Sequence, residues 1–345
     1  MAPLSAIVQL TKPGIIFGNL ASLLGGYFLA TDGRPESLSN MGAIVVGTAL
    51  VIGCGCVINN CVDRDIDRRM VRTCHRALAI RAVSVKAAAC YAFALGVAGF
   101  YLLALGSNLL ACGLAASGLF IYAGLYSCWF KRRSQWGTLI GSLSGAMPPV
   151  IGYCAVKGAF DLTALLLVLV FCLWQMPHSH AISLMRRDDF RAAGLPLLTQ
   201  SAARHQIIAY MLFFMLSATV LGVVAALNFI YFGVVFGLGG YWCSLAFKNP
   251  PVKDQRGWAR QIFVISILLI MALSLAMSLG SALFRPSLVP HGKPAAKVHP
   301  PAPALDTVIR QGRPDILKEV TRWLYRSRSC NFCVDTVTTG VRPKH

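Results

Sequence analysis

The stretch Asn59–Arg76, NNCVDRDIDRRMVRTCHR, decides how the rest of the chain is interpreted. It follows directly after an apolar run at 41–58 that is long enough to cross a bilayer as a helix. Acidic residues are scarce in this chain, which has 13 Asp and Glu against 32 Lys and Arg. Three of those acids nevertheless lie close together here, at 63, 65 and 67. The sequence therefore places an acidic cluster at the end of a hydrophobic helix.

Helix geometry predicts which of these side chains share a face. If the helix continues at about 100° per residue, Asn59, Asp63 and Asp67 fall within an arc of about 80°. Asn60 lies about 100° from Asn59, whereas Asp65 points roughly the other way. Carboxylate and amide oxygens on one face suit a hard cation such as Mg²⁺. The face formed by Asn59, Asn60, Asp63 and Asp67 is therefore a candidate Mg²⁺ site.

Basic residues follow these acids closely, and guanidinium groups are good ligands for phosphate. They are Arg68, Arg69, Arg72 and Arg76. The alternative interpretation is a solvated loop in which the acids only balance the arginines. A binding site is favoured by the amides Asn59 and Asn60 at the membrane edge, because buried polar groups need partners.

The composition indicates a polytopic membrane protein rather than a soluble one. Of the 345 residues, 56% are hydrophobic and 13% are charged, and the mean hydropathy is +0.62. The formal charge of +19 lies mostly in short connections between apolar runs, a pattern typical of topology signals and not of nucleic-acid binding. Nine candidate spans lie at roughly 14–30, 41–60, 87–106, 108–130, 137–156, 162–182, 205–226, 228–247 and 261–284.

The distribution of basic residues predicts the orientation of the chain in the membrane. One set of connections carries 19 Lys and Arg residues and the opposite set carries two, before the basic tail. By the positive-inside rule, the first set and the N-terminus are expected in the cytoplasm. Neither a cleavable signal peptide nor an organellar targeting segment is evident, so a bacterial inner membrane is expected. Residues 1–285 form the predicted membrane domain, and 286–345 a basic, Pro-rich tail that we expect to be disordered with an amphipathic helix.

A second polar segment, Trp174–Leu198, reads WQMPHSHAISLMRRDDFRAAGLPLL. Pro177 is expected to kink or end the sixth span near its cytoplasmic side. His178 follows directly, either as a structural hydrogen-bonded residue or as part of a pocket for an acceptor substrate. Asp188 and Asp189 are either a loop turn or the second half of a cation site.

A third segment, Tyr126–Tyr153, reads YSCWFKRRSQWGTLIGSLSGAMPPVIGY. Its basic residues Lys131 and Arg132 are either a topology anchor or, with the acidic loops, part of a cradle for a diphosphate. Pro148 and Pro149 are expected to interrupt the fifth span and to open space in the bundle.

These three segments, together with TKPGIIFGN at 11–19, resemble the protoheme IX farnesyltransferases, also called haem O synthases. That family belongs to the UbiA-type intramembrane prenyltransferases. The pattern NxxxDxxxD indicates only the superfamily, whereas GSLSGAMPPVIGY and WQMPHS point to the haem branch. The resemblance extends over residues 5–284.

The resemblance implies nine transmembrane helices around a central cavity that is capped on the cytoplasmic side. It implies transfer of the farnesyl group of farnesyl diphosphate to the vinyl group of haem b, with Mg²⁺ as cofactor. A haem A synthase or a terminal oxidase is the implied partner in the bilayer. The resemblance further implies that Asn59, Asn60, Asp63 and Asp67 hold Mg²⁺ and the diphosphate, with Asp63 and Asp67 catalytic. It implies substrate binding by Arg72, Arg76, Asp188 and Asp189. From their own positions in the sequence, Lys131, Arg132 and His178 are further candidates for substrate binding.

The chain departs from the family pattern at two places. The second acidic motif of the superfamily is usually DxxxD, but Ala192 and Ala193 stand four residues after Asp188 and Asp189. Arg81 stands where a small residue, usually glycine, is expected.

Two other functions are compatible with these residues. One is a UbiA-type enzyme that prenylates an aromatic or quinone-precursor acceptor, and the haem-branch motifs argue against it. The other is a non-catalytic carrier or transporter of haem or lipid. A transporter is expected to place ionisable residues near the bilayer midplane, and the interiors of the predicted spans have no Asp, Glu, Lys or Arg.

Overall fold

The computed structural model describes residues 4–33, 35, 37–134, 136–248 and 254–279. Within those ranges every regular element is a helix, so the predicted all-α fold is confirmed. The predicted tail at 286–345 lies outside the described residues.

Nine helices of the described part are long and apolar enough to cross a membrane. They are α2 (Pro13–Ala30), α3 (Leu38–Asp67), α4 (Val85–Gly106), α5 (Leu109–Arg133), α6 (Gly137–Lys157), α7 (Leu162–Met185), α9 (Gln200–Val224), α10 (Phe229–Phe247) and α11 (Gln255–Leu279). Two short helices accompany them, α1 (Leu4–Leu10) before α2 and α8 (Arg187–Ala192) after α7. The nine predicted spans are confirmed, and the largest differences are at α3, which continues to Asp67, and α11, which begins at Gln255.

Capping residues explain where most of these helices begin. Six spans start after a residue whose side-chain oxygen accepts a hydrogen bond from a backbone N–H in the first turn. These caps are Ser37, Ser84, Asn108, Asp161, Thr199 and Asn228. Each cap of this kind contributes about 1 kcal/mol to helix stability.

The helices enclose a central cavity. Helix α3 packs most extensively on α4, α2 on α6 and α11, and α7 on α6, α9 and α11. The cavity has a volume of about 750 Å³ and is lined by α2, α3, α5, α6, α7 and α11. This volume is within the usual range for a small-molecule site. The predicted bundle around a central cavity is therefore confirmed.

The expected interruption of the fifth span at Pro148 and Pro149 is wrong, and Pro177 does not end the sixth span. Helix α6 runs without a break from Gly137 to Lys157, with Pro148 and Pro149 buried inside it. Helix α7 likewise continues past Pro177 to Met185. A proline removes only its own N–H and frees one carbonyl, and a membrane bundle can satisfy that carbonyl through neighbouring helices and local adjustments.

Helices α2 and α6 touch through their backbones. A Cβ atom added to Gly26 would lie 1.9 Å from the carbonyl oxygen of Pro149, and one added to Gly152 would lie 2.1 Å from that of Leu23. No side chain fits at those distances. Small residues at both positions therefore set the separation of the two helices, as is common where membrane helices pack closely.

The loop that follows α3 contains a strained residue. Arg81 has a φ of 60°, in the left-handed region that glycine adopts without cost. This backbone conformation is the physical reason for expecting glycine at this position, and a larger residue there costs about 1–2 kcal/mol.

The substitution Gly152→Ala should lower the stability of the bundle by about 1–3 kcal/mol, because α2 and α6 must move apart to admit the methyl group. The matched control is Gly42→Ala in α3, where an added Cβ meets no atom within 4 Å. That control should be neutral or should stabilise the helix by up to about 1 kcal/mol. Thermal unfolding of both variants in detergent measures the difference, and equal melting temperatures would contradict the proposed contact.

Candidate active site

The end of α3 carries the predicted polar face. The helix stays regular to Asp67, and Asn59, Asn60, Asp63 and Asp67 are all buried, with at most 4% of their surfaces exposed. Asp65 is exposed on the other side of the helix. The helical geometry expected from the sequence is therefore present, and it places two buried carboxylates one turn apart.

Asp63 lies at the centre of a hydrogen-bond network. Its Oδ2 accepts hydrogen bonds from Lys131 Nζ and, at 2.9 Å, from Asn59 Nδ2. Its Oδ1 is buried and has no hydrogen-bond partner among the described residues, and Nη2 of Arg132 lies 4.0 Å from it. A buried carboxylate oxygen without a donor is costly. Such an atom is a suitable ligand for a cation.

Asp67 is paired with Arg76, which reaches back from the loop after α3. Nη1 of Arg76 donates to both carboxylate oxygens, at 3.0 and 2.9 Å. The same nitrogen lies 3.4 Å from Oδ1 of Asn60, and Thr73 Oγ1 donates to the backbone carbonyl of Asp67 at 3.1 Å. These bonds fold the arginine-bearing loop over the end of α3.

A stretch of π-helix brings α5 to this site. Within α5, residues Phe120–Phe130 form the wider π turns, and Ser127 Oγ donates to the carbonyl of Tyr122 five residues earlier. Ser127 Oγ also accepts a bond from Asn59 Nδ2 at 2.9 Å. Stretches of π-helix often occur at functional sites, and here the stretch ends directly before Lys131. No pattern in the sequence predicted it.

Lys12 is a site residue that the sequence analysis missed. It precedes α2, lines the cavity, and donates from Nζ to Oδ1 of Asn59. Burial is the main cause that lowers the pKa of Lys12 from 10.5 to about 8. One feature of the sequence could have indicated Lys12 as a site residue. It is the only basic residue before the first span, and it lies within the motif TKPGIIFGN.

The cavity has two chemically different parts. Its charged end is lined by four cationic side chains and two carboxylates, namely Lys12, Arg72, Arg76, Lys131, Asp63 and Asp67. The excess of positive charge favours an anion such as a phosphate. The remainder is largely apolar and includes Val51, Leu119, Met147, Phe171 and Ile270. The cavity can therefore bind an amphiphile with a phosphorylated head.

Several predicted site residues do not line the cavity. Asn60 Nδ2 donates to the carbonyl of Leu10 at 2.8 Å, so this amide anchors α1. Arg132 is bonded to the outward-facing Asp65 at 2.7 and 2.8 Å. Asp188 pairs with Arg256 where both side chains are exposed.

Asp189 accepts a hydrogen bond from the backbone N–H of Val71 at 3.1 Å and also lies outside the cavity wall. The structure thus brings one set of predicted residues together around the cavity. These are Asn59, Asp63, Asp67, Arg72, Arg76, Lys131 and His178.

The donor set at the charged end fits a magnesium ion bound together with a substrate. No three His, Cys, Asp or Glu side chains cluster as a metal site within the described ranges. Mg²⁺ commonly uses only one or two carboxylates and completes its shell with water and substrate phosphates. Asp63 and Asp67, with the unpartnered Oδ1 of Asp63, meet that requirement.

Residues 19–268 match the family described as the UbiA prenyltransferase family. The chain therefore belongs to the UbiA prenyltransferases, and it is a multi-pass membrane protein. Among curated relatives, it is 48% identical over 280 residues to protoheme IX farnesyltransferase 2 of Pseudomonas aeruginosa, covering 80% of this chain and 94% of that one. It is 50% identical over 279 residues to protoheme IX farnesyltransferase of Pseudomonas savastanoi pv. phaseolicola, with the same coverage. The resemblance predicted from the four motifs is confirmed.

Solved structures confirm the fold. A structure described for digeranylgeranylglyceryl phosphate synthase superposes with a TM-score of 0.64 at 15% identity, covering 82% of this chain and 99% of that one. A UbiA homologue from Archaeoglobus fulgidus bound to GPP and Mg²⁺ superposes with a TM-score of 0.56 at 14% identity, covering 79% and 99%. At these identities the likeness concerns the fold alone.

Binding of an anion at the charged end should depend on the protonation of Lys12. Because its pKa is lowered to about 8, Lys12 loses its charge as the pH rises through that value. The affinity for inorganic pyrophosphate with Mg²⁺ should therefore fall several-fold between about pH 7 and pH 9. Calorimetric titration of the purified protein measures this dependence.

The variant Lys12→Arg keeps its charge over this range and should remove most of the fall. Lys86→Arg, at an exposed position in α4, is the matched control and should behave as the unsubstituted protein does. An unchanged pH dependence in Lys12→Arg would show that another group controls binding.

Proposed function

We propose that this protein transfers the farnesyl group of farnesyl diphosphate to the vinyl group of haem b and thereby forms haem O. The observation that carries this proposal is a single cavity with a cationic, carboxylate-bearing end and an apolar remainder. Such a cavity accommodates a diphosphate and two lipophilic partners at once. The choice of donor and acceptor is supported by relatives named protoheme IX farnesyltransferase, of which the chain covers 94%.

Asp63 and Asp67 would hold Mg²⁺, with Oδ1 of Asp63 as the ligand atom that is already without a donor. Asn59 orients Asp63 through its Nδ2, and its own oxygen faces Lys12. When bound, Mg²⁺ supplies neutralisation of the negative charge on the diphosphate.

The cationic side chains bind and stabilise the leaving group. In the structure, Lys131 and Arg76 are paired with Asp63 and Asp67. If Asp63 and Asp67 held the metal ion, these two cations would be available to the diphosphate, beside Lys12 and Arg72. Negative charge grows on the diphosphate as the C–O bond breaks, so preorganised cations there lower the barrier.

The apolar part of the cavity protects the reactive fragment. Cleavage of the C–O bond leaves an allylic cation, which water would consume in an open site. The aromatic side chains of Tyr122, Tyr126 and Phe171 line the cavity, and the face of an aromatic ring attracts a cation. The diphosphate departs with the electron pair of the C–O bond, and the vinyl group of haem b attacks the allylic cation. The carbocation that this forms on the haem side chain takes up water and loses a proton, which gives the hydroxyethylfarnesyl side chain.

The location and partners follow from the same proposal. We place the protein in a bacterial inner membrane with its N-terminus and its charged end in the cytoplasm, because the basic connections lie at that end. The product would pass to a haem A synthase or to a terminal oxidase. The tail at 286–345 is proposed as an addition to the catalytic domain at 1–285.

The proposal is tested by expressing the chain in a bacterial strain that lacks haem O and analysing extracted haem by mass spectrometry. The unsubstituted chain should produce haem O, and Asp63→Ala should reduce turnover by about 100-fold or more, because a metal ligand and a buried ion-pair partner are lost. The matched control is Asp65→Ala, which removes the exposed acid two residues away and should retain most of the activity.

Membrane insertion of every variant is checked by immunoblot. Haem b alone from a correctly inserted chain would refute the assignment and would indicate another acceptor, such as an aromatic or quinone precursor. Equal activity of Asp63→Ala and Asp65→Ala would refute the metal site while leaving the reaction in place.

A further inference from the structure

His178 in α7 is held in one orientation by three neighbours. Its ring stacks on Trp174 with centroids 5.0 Å apart and lies against Phe263 of α11 at 4.8 Å. Its Nδ1 is 2.8 Å from Oγ of Ser266. Trp174 Nε1 donates to the carbonyl of the same serine at 2.8 Å, so the α7–α11 contact holds the imidazole from both sides.

The hydrogen bonds of Ser266 determine the tautomer of this histidine. A serine hydroxyl has one proton, and Ser266 Oγ donates it to the carbonyl of Phe263 at 2.6 Å. Towards His178 the hydroxyl can then only accept. In the neutral imidazole, Nδ1 therefore carries the hydrogen and Nε2 carries the free lone pair.

That lone pair is available to a molecule in the cavity. His178 lines the cavity, and no described residue forms a hydrogen bond with its Nε2. The charged residues Asp63, Asp67 and Lys131 line the same cavity as His178. The imidazole and the diphosphate site therefore open into one space.

We propose that Nε2 of His178 ligates the iron of the porphyrin acceptor. This inference rests on the proposed function and deepens it by naming the residue that recognises an iron porphyrin. Imidazole is a common ligand of haem iron, and ligating histidines usually donate their second N–H to a neighbouring acceptor. Ser266 is that acceptor here, and the flanking rings of Trp174 and Phe263 orient the imidazole plane.

The test is a titration of the purified full chain with haem b and, separately, with metal-free protoporphyrin IX. The unsubstituted protein should give absorption and electron paramagnetic resonance spectra of imidazole-ligated iron. His178→Ala should lose that signature and bind haem at least about tenfold more weakly, and added imidazole should restore the signature. Both proteins should bind the metal-free porphyrin equally, because it offers no iron.

Two further variants complete the comparison. Ser266→Ala should keep the imidazole signature but weaken haem binding, since the orientation of the ring is lost. His205→Ala removes an exposed histidine of α9 and should change nothing.

An unaltered spectrum in His178→Ala would overturn the proposal, as would loss of the signature in His180→Ala alone. Equal loss of haem and metal-free porphyrin would also overturn it, because His178 would then only shape the pocket. If the unsubstituted chain produces haem O, these results count against the ligand and not against the reaction. An unsubstituted chain that neither binds haem nor makes haem O would overturn both.

A second inference concerns Asp189, and it rests on a different contact. The segment that follows α8 packs against the end of α3 and the loop after it, through Ala193 and Leu195 on one side and Ile66 and Met70 on the other, and Phe190 of α8 packs against this cluster. Oδ1 of Asp189 accepts the N–H of Val71 at 3.1 Å, directly before Arg72, which lines the cavity. The guanidinium group of Arg72 also interacts electrostatically with the negative charge of Asp189.

We infer that Asp189 is a positioning residue that holds Arg72 towards the diphosphate, and not a ligand of the cation. An asparagine can accept the same hydrogen bond but is a poorer ligand for Mg²⁺. Asp189→Asn should therefore behave nearly as the unsubstituted protein does, whereas Asp189→Ala should raise the KM for farnesyl diphosphate several-fold. The Mg²⁺ concentration for half-maximal activity should stay unchanged in both.

A double variant that combines Asp189→Ala with Arg72→Ala tests whether the effect of Asp189 depends on Arg72. If Asp189 acts through Arg72, then Asp189→Ala should have no further effect once Arg72 is removed. A raised Mg²⁺ requirement in Asp189→Asn would overturn the inference, and so would fully additive effects in the double variant. The unsubstituted chain must form haem O in the same assay, so failure of the proposed reaction is recognised separately.

Discussion

The site depends on supplying a partner to the carboxylate of Asp63, which is buried inside an apolar bundle. A buried charge is tolerated only with a partner, and removing one member of such a pair typically costs about 3–5 kcal/mol. Lys131 is that partner, and Asn59 adds a hydrogen bond. To meet this requirement, α5 must present a lysine to α3 at the level of the acid. The π-helical stretch and the contact of Ser127 with Asn59 belong to the same local arrangement.

Much of this architecture could be predicted because membrane proteins make few exceptions to simple rules. Nine apolar runs predicted nine helices, and a spacing of four residues between Asn59, Asp63 and Asp67 predicted one buried face. The expected interruptions at the prolines were wrong because local sequence does not show which neighbours will satisfy a freed carbonyl. Lys12 was missed for a related reason, since it reaches the site through tertiary packing from a segment almost 50 residues before Asn59.

Chemically similar residues have different roles here because of their position. Asp63 and Asp189 are both acids beside arginines in the sequence, yet one is buried at the cavity and the other caps a backbone N–H outside it. The absence of the second acid from the DxxxD pattern, with Ala192 and Ala193 in its place, agrees with this difference. A motif that has lost one carboxylate can keep its place in the fold as a structural contact. Only the three-dimensional positions of the two acids show which one lines the cavity and which one forms a structural contact.

The two ion pairs at the charged end have a thermodynamic consequence. In the structure, Lys131 forms an ion pair with Asp63, and Arg76 forms one with Asp67. Each of these charges therefore has a partner before any ligand binds. A cation binding alone would leave the half-buried Lys131 and Arg76 without partners, and an anion binding alone would leave two buried carboxylates without partners. Only when the cation and the anion bind together can all four side chains change partners without leaving an unpaired charge. If this site binds a metal ion and a diphosphate as proposed, the two binding events are positively linked, and each raises the affinity of the other by the same factor.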